Sequence, residues 1–217
     1  MAVTPRPAST VVLMNDQSKV YLTKRPITMK FMGGFYVFPG GSVDKEDKMI
    51  KSTHIKDVQK NVPVHVAHYV AAARELFEEV GVLLCRNKNG LPVQLEKEKA
   101  NKYRRQLINN EITFLQMLQK EELLFSNECL TYFGHRITPS VSPIRFDTRF
   151  FLTYLPEGQT PDPDKNEIDE AHWMTPQEAI DAYKSGKISL ASPTITSLQT
   201  ILNHQQGGPL MMPPRRG

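Results

Sequence analysis

Short apolar runs and one long helical stripe set the framework of the chain. Residues 10–14 (TVVLM) and 20–23 (VYLT) are β-branched, apolar runs on either side of Asn15-Asp16-Gln17-Ser18, which predicts a hairpin. Residues 35–38 predict a third strand, ended by a sharp turn at Pro39-Gly40-Gly41. Residues 42–63 are polar, charged and without period, and are expected to form an irregular surface excursion. From Val66 to Val82 the spacing becomes helical: Val66, Val70, Ala73, Phe77 and Val80 fall on one stripe, and Gly81 predicts the stop. Beyond it the pattern predicts a strand at 82–85 and helices at 94–109 and 112–124, with Leu95, Tyr103, Leu107, Leu115 and Leu118 as core contacts. Strands follow at 131–138 and 146–155, then a Pro-rich acidic loop at 156–170 and a last strand at 171–174 carrying Trp173. Two helices, 176–184 and 193–204, open with Pro in the first turn. Strands and helices alternate without a repeated βαβ period, so the expected fold class is α+β, an α/β/α sandwich with a mixed sheet. One domain is expected over 10–205, with insertions at 42–63 and about 94–124 and tails at 1–9 and 206–217.

Composition narrows the class. The chain has 217 residues, 40% hydrophobic and 23% charged, enough for one substantial core. No apolar run approaches a membrane span and the first ten residues lack the core of a signal peptide, so no membrane association and a cytoplasmic location are expected. Cys85 and Cys129 are too few for a disulfide framework and lack metal-ligand spacing, which predicts reduced thiols. The net charge of +4 sits before Ser42, where five basic residues face Asp16 alone. Dense Lys/Arg runs with interleaved aromatics are missing there, so a phosphorylated small molecule is a better partner than nucleic acid. The oligomeric state stays open, a homodimer included.

The helix at 66–82 carries the chemistry. Glu75, Glu78 and Glu79 lie together opposite its apolar stripe, and like charges three and four positions apart cost roughly 0.2–0.5 kcal/mol each. Arg74 offsets part of that charge. Hard oxygen donors suit Mg²⁺ or Mn²⁺, while a solvated acidic face is the plain alternative. Ala71 and Ala72 leave room on the same side for a ligand or another backbone. His68 is expected to be a hydrogen-bonded structural histidine.

FPGG at 38–41 followed by RELFEEVGV at 74–82 resembles the signature of the Nudix hydrolases. Here an insertion of about twenty residues separates the glycine turn from the Arg-Glu helix and obscures whether Glu46 or Asp47 takes the box's intermediate acidic position. A box split at this place, with RITPSVSPIRFDTRFFLTYLP at 136–156 and the closing Trp173 and Ser192-Pro193-Thr194 patterns, resembles the branch containing the peroxisomal coenzyme A diphosphatase. The carboxyl end reads RRG, so that organelle is not carried over.

The resemblance implies a Nudix fold with an extra helical insertion. It implies a Mg²⁺- or Mn²⁺-dependent hydrolase of diphosphate bridges, with Glu75, Glu78 and Glu79 as metal ligands and Arg74 orienting them. Gly40 and Gly41 would approach the metals, and Glu167 or Glu170 would act as general base. Coenzyme A or acyl-coenzyme A is the expected substrate, its 3′-phosphate met by positive charge from Lys24, Arg25, Lys30, Arg145 and Arg149. NADH or a nucleoside diphosphate sugar is the alternative substrate, and a silent nucleotide-binding regulatory module the alternative of another class. The 42–63 excursion is expected over the substrate mouth.

Overall fold

The computed structural model describes residues 3–56 and 63–214. Its strands, in chain order, are β1 Arg6–Met14, β2 Val20–Lys24, β3 Tyr36–Val37, β4 Gly40–Ser42 and β5 Ile55–Lys56. After helix α1 Val66–Val80 come β6 Cys85–Arg86, α2 Lys97–Ile108, α3 Phe114–Lys120 and β7 Leu124–Ser126. The chain closes with β8 Thr131–Ile137, β9 Phe146–Tyr154, β10 Glu170–Met174, α4 Pro176–Lys184 and α5 Ser192–Gln205.

The main sheet runs β10-β2-β1-β9-β8, with β3 added beside β2 and β4 beside β1. β1 and β9 are parallel, and the other pairs are antiparallel, so the sheet is mixed. Alternation along β1 sends Val11 and Leu13 into one core with α1, α2 and α3, and Val12 and Met14 into a second core with α4 and α5. A strand covered on both faces has no polar face to show, which is why residues 10–14 read as one apolar run. The α/β/α sandwich follows from that double covering.

Several boundaries differ from the sequence reading, each for a physical reason. Residues 6–9, expected in a tail, belong to β1 because β4 and β9 pair with them on either side. Gly40-Gly41, expected as a turn, is the start of β4, paired with Ser9 and Thr10. The expected strand at 82–85 is shifted to Cys85–Arg86, which joins β5 and β7 in a small second sheet that no periodicity announced. Each of its strands has only two or three residues, too short to show a period.

The 42–63 segment is less irregular than expected: 3₁₀ turns at Glu46–Met49 and Ser52–His54 pack on α1 and α3. Apart from Ser42, its described residues lie outside the wall of the large cavity described below, so the expected cover over the mouth is not formed by them. Residues 57–62 of that segment lie outside the described residues. The expected C-terminal tail returns to the sheet: the Met212 amide donates to Phe133 O at 2.8 Å, and Met212 is buried. A Cβ on Gly134 would lie 2.6 Å from Met212 Cβ, so this close crossing needs glycine in β8.

Candidate active site

α1 begins at His65, whose Nδ1 accepts the Ala67 amide at 3.2 Å, and ends at Gly81 in the left-handed conformation with its amide on Phe77 O. The helix is buried nearly all round. Ala71, Ala72 and Ala73 are fully buried, and α1 packs against β1 and β4. Glu78 and Glu79 are buried as well, so the carboxylates do not form a solvated acidic face.

Arg74 is the hub of this buried charge. Its Nε and Nη2 donate to the two oxygens of Asp47 at 3.0 Å each. Nη1 donates to Glu75 Oε1 and to Glu78 Oε2, both at 3.0 Å, and Nη2 also reaches Ser42 O at 2.8 Å. Burial alone would lower the guanidinium pKa, but Glu75, Asp47 and Glu78 reverse that and raise it, so Arg74 stays charged. The structure therefore selects Asp47, which is buried, over Glu46, which is exposed, as the acidic residue between the glycine turn and α1.

Gly40 and Gly41 seat the carboxylates. The Gly40 amide donates to Glu79 Oε2 at 3.1 Å. A Cβ on Gly41 would lie 2.5 Å from Glu75 Oε1, and one on Gly40, at φ +153°, would lie 2.3 Å from Ser9 O. Gly40 demands glycine because a Cβ would meet backbone, whereas a Cβ at Gly41 would displace the Glu75 carboxylate.

The cluster is strongly negative. Burial pushes Glu75 up to about 7 and Glu78 up to about 8, in each case against the pull of Arg74. Glu79 is raised well above its ordinary value, first by burial and then by Glu75 and Glu167. Among the described residues no three His, Cys, Asp or Glu side chains are already closed around a metal position. Arg74 accounts for this in part, holding one oxygen each of Glu75 and Glu78. The donor set nevertheless fits a hard divalent cation: three buried carboxylates, each with one oxygen bound to Arg74 or Gly40 and the other left over.

The other expected residues separate into two groups. Glu167 is half-buried, its carboxyl raised by burial and by Asp164, and it acts electrostatically on both Glu75 and Glu79. Arg25 donates from Nε to Phe31 O at 3.2 Å and acts electrostatically on Glu79 and Glu167. Glu170 is not placed as a base: it accepts from Lys24 Nζ at 2.6 Å and Tyr36 Oη at 2.7 Å, which hold it down to about 2. That ion pair also withdraws Lys24 from an incoming anion. Lys30 is exposed, outside the cavity wall. Arg145 donates to Thr138 O and Val3 O, and Arg149 pairs with Asp147 on the face of β9 that points toward α1. His68 shares a hydrogen bond with Ser9 Oγ at 3.2 Å, as expected of a structural histidine. Cys85 and Cys129 are free thiols.

A cavity of about 790 Å³ opens beside Gly40 and Gly41. Arg25 and Arg136 line it, with Phe31, Phe146 and Phe150 among its apolar walls. Arg136 opens the 136–156 stretch that carried part of the resemblance, but no binding role was expected of it. Arg104 was missed too: from α2 it donates to Glu78 O at 3.0 Å and Glu79 O at 3.1 Å, satisfying carbonyls of the last turn of α1. Its one legible trace is that it neighbours Tyr103 and precedes Leu107 by three, on the buried side of α2.

A sequence model of the NUDT19 Nudix domain matches residues 48–201. A Caenorhabditis elegans protein provisionally named nudix hydrolase 7 is 30% identical over 88% of this chain and 58% of its own. The acyl-coenzyme A diphosphatase NUDT19 of Xenopus laevis is 28% identical over 84% of this chain and 59% of its own. The chain thus spans under two-thirds of the length of these relatives. The crystal structure of a Nudix hydrolase from Alicyclobacillus acidocaldarius superposes with a TM-score of 0.84 at 27% identity, covering 98% of this chain and 99% of the other.

Proposed function

Since the chain belongs to the Nudix hydrolase family, we propose that it hydrolyses the diphosphate bridge of a nucleotide derivative, with coenzyme A or acyl-coenzyme A as the substrate. The observation that carries this reading is the Arg74-centred carboxylate cluster held against Gly40 and Gly41 at the edge of a cavity with two arginines. The products would be 3′-phosphoadenosine 5′-phosphate and phosphopantetheine or its acyl form.

Glu75, Glu78 and Glu79 would hold Mg²⁺ or Mn²⁺, which supplies charge neutralisation of the diphosphate and acidification of a bound water. Arg74 keeps two of those carboxylates in place through charge-assisted hydrogen bonds and is itself fixed by Asp47. Glu167 is the candidate general base, because burial and Asp164 raise its proton affinity above the ordinary carboxylate value while Glu170 is held low by its partners. Arg25, acting on both Glu79 and Glu167, lines the cavity at a place suited to an incoming phosphate.

The purified protein is expected, with Mg²⁺, to cleave coenzyme A in preference to NADH, ADP-ribose and nucleoside triphosphates. Glu78→Gln should lower kcat by on the order of a hundredfold, the scale seen when one charge-stabilising group is lost. No turnover of any of these, with Glu78→Gln equal to the parent, would sink the enzymatic reading in favour of a silent binding module. Fast NADH cleavage with coenzyme A untouched would sink the substrate.

A further inference from the structure

The Ser192-Pro193-Thr194 sequence opens α5 on the wall of the large cavity, and nothing in the diphosphate chemistry uses it. The N-cap is Ala191, whose side chain offers no acceptor, and no side chain caps this helix end. Pro193 has no amide, so the first-turn donors left for an external acceptor are the amides of Ser192 and Thr194. Thr194 is 3% exposed, stands in the cavity wall, and its hydroxyl makes no hydrogen bond with any described residue. The hydroxyl therefore opens to the cavity, where it can donate to or accept from a ligand.

Two further observations point to an anion. Arg136 lines the same cavity, its guanidinium held by two backbone carbonyls: Nη1 donates to His135 O and Nη2 to Pro213 O, each at 2.7 Å. Among the described residues that line the cavity there is no Asp or Glu, although both arginines are there. The segment that leads into α5 is tied beside the approach to the glycine pair, because the Tyr36 amide donates to Ser189 O at 2.8 Å four residues before β4 begins. Amide donors, a hydroxyl and a guanidinium around one cavity match a phosphate better than a carboxylate-poor apolar group.

We infer that the N-terminus of α5, with Thr194 and Arg136, is a second anion subsite that binds a phosphomonoester on the nucleotide arm of the substrate. It rests on the proposed reaction for its place in catalysis, and it replaces Lys24, Lys30, Arg145 and Arg149 as the source of selectivity for a 3′-phosphate.

Calorimetric titration of the full chain with adenosine 3′,5′-bisphosphate, adenosine 5′-monophosphate and inorganic phosphate tests this directly. The bisphosphate should bind roughly tenfold tighter than the monophosphate, and inorganic phosphate should bind weakest, as charge-assisted hydrogen bonds to one added phosphate imply. Thr194→Val, which keeps the volume, should weaken bisphosphate binding roughly three- to tenfold and reduce its advantage over the monophosphate; Thr194→Ser should restore it. Arg136→Gln should erode the same advantage. Equal binding of bisphosphate and monophosphate by the parent, or equal losses for both ligands in Thr194→Val, would overturn the subsite. Coenzyme A left uncleaved while bisphosphate binding follows Thr194 would instead overturn the proposed reaction and leave the subsite standing.

Discussion

Arg74 turns a group of mutually repelling carboxylates into an ordered cluster, and it does so with five donor contacts from a side chain that is almost wholly buried. The pairing with Asp47 matters because removing one partner of a buried ion pair typically costs about 3–5 kcal/mol. The cluster still carries more negative than positive charge, and the raised values of Glu75 and Glu78 have a sign for stability. Both groups bind protons more tightly folded than unfolded, so their contribution is fully present below their unfolded values and is lost as pH rises through about 7 and about 8. Without added metal, the melting temperature should therefore fall between pH 5 and 8.5. Mg²⁺ should restore much of the loss at the upper end, since a ligand bound only by the folded state stabilises it by mass action. A metal-free melting temperature that rises with pH over this range would show that the carboxylates are not held as described.

The helix bearing this cluster depends on a neighbouring one. The last-turn carbonyls of α1 at Glu78 and Glu79 find donors in Arg104 of α2, and the amides of Asp162 and Asp164 cover Val80 O and Glu79 O at 2.8 Å each. The helical insertion is thus a clamp on α1 as well as added core. Arg104→Met should cost about 1–3 kcal/mol, by leaving Glu78 O short of a donor and Glu79 O with the Asp164 amide alone. It should lower kcat more than it raises KM, because the two carboxylates of that turn lose their fixed position. Denaturant unfolding and steady-state kinetics read the two effects separately, and a stability loss with kcat intact would mean that the insertion only packs. The alternation of β9 sorts its residues in the same geometric way: Thr148 and Phe150 reach the cavity, while Asp147, Arg149 and Phe151 face α1.

Across the whole molecule, two cores on opposite faces of one mixed sheet hold the site between them. The return of the C-terminal segment completes the cavity wall with Pro213 and Pro214, latched by Met212 against β8 and by Arg136 on Pro213 O. Met212→Ala should destabilise the protein by about 2 kcal/mol or more as a buried large-to-small change, a melting shift of roughly 4–8 °C for a chain of this size. It should also raise KM for the proposed substrate, coenzyme A, by loosening that wall; an unchanged melting temperature would place the segment outside the folded core.

The order of the longer strands and helices, the cluster of Arg74 with Glu75, Glu78 and Glu79, and the glycine pair were legible in the residues, because hydrophobic period and close like charges are local quantities. The choice of Asp47 over Glu46, the loss of Glu170 and Lys24 to each other, and the roles of Arg104, Arg136 and Thr194 were not. Each depends on which distant backbone or charge a side chain meets: Lys24 and Glu170 lie opposite one another in paired strands 146 residues apart. Sequence determined which charges stand together on α1, and packing decided which of them remain available to a ligand, since a partner that satisfies a charge also withdraws it.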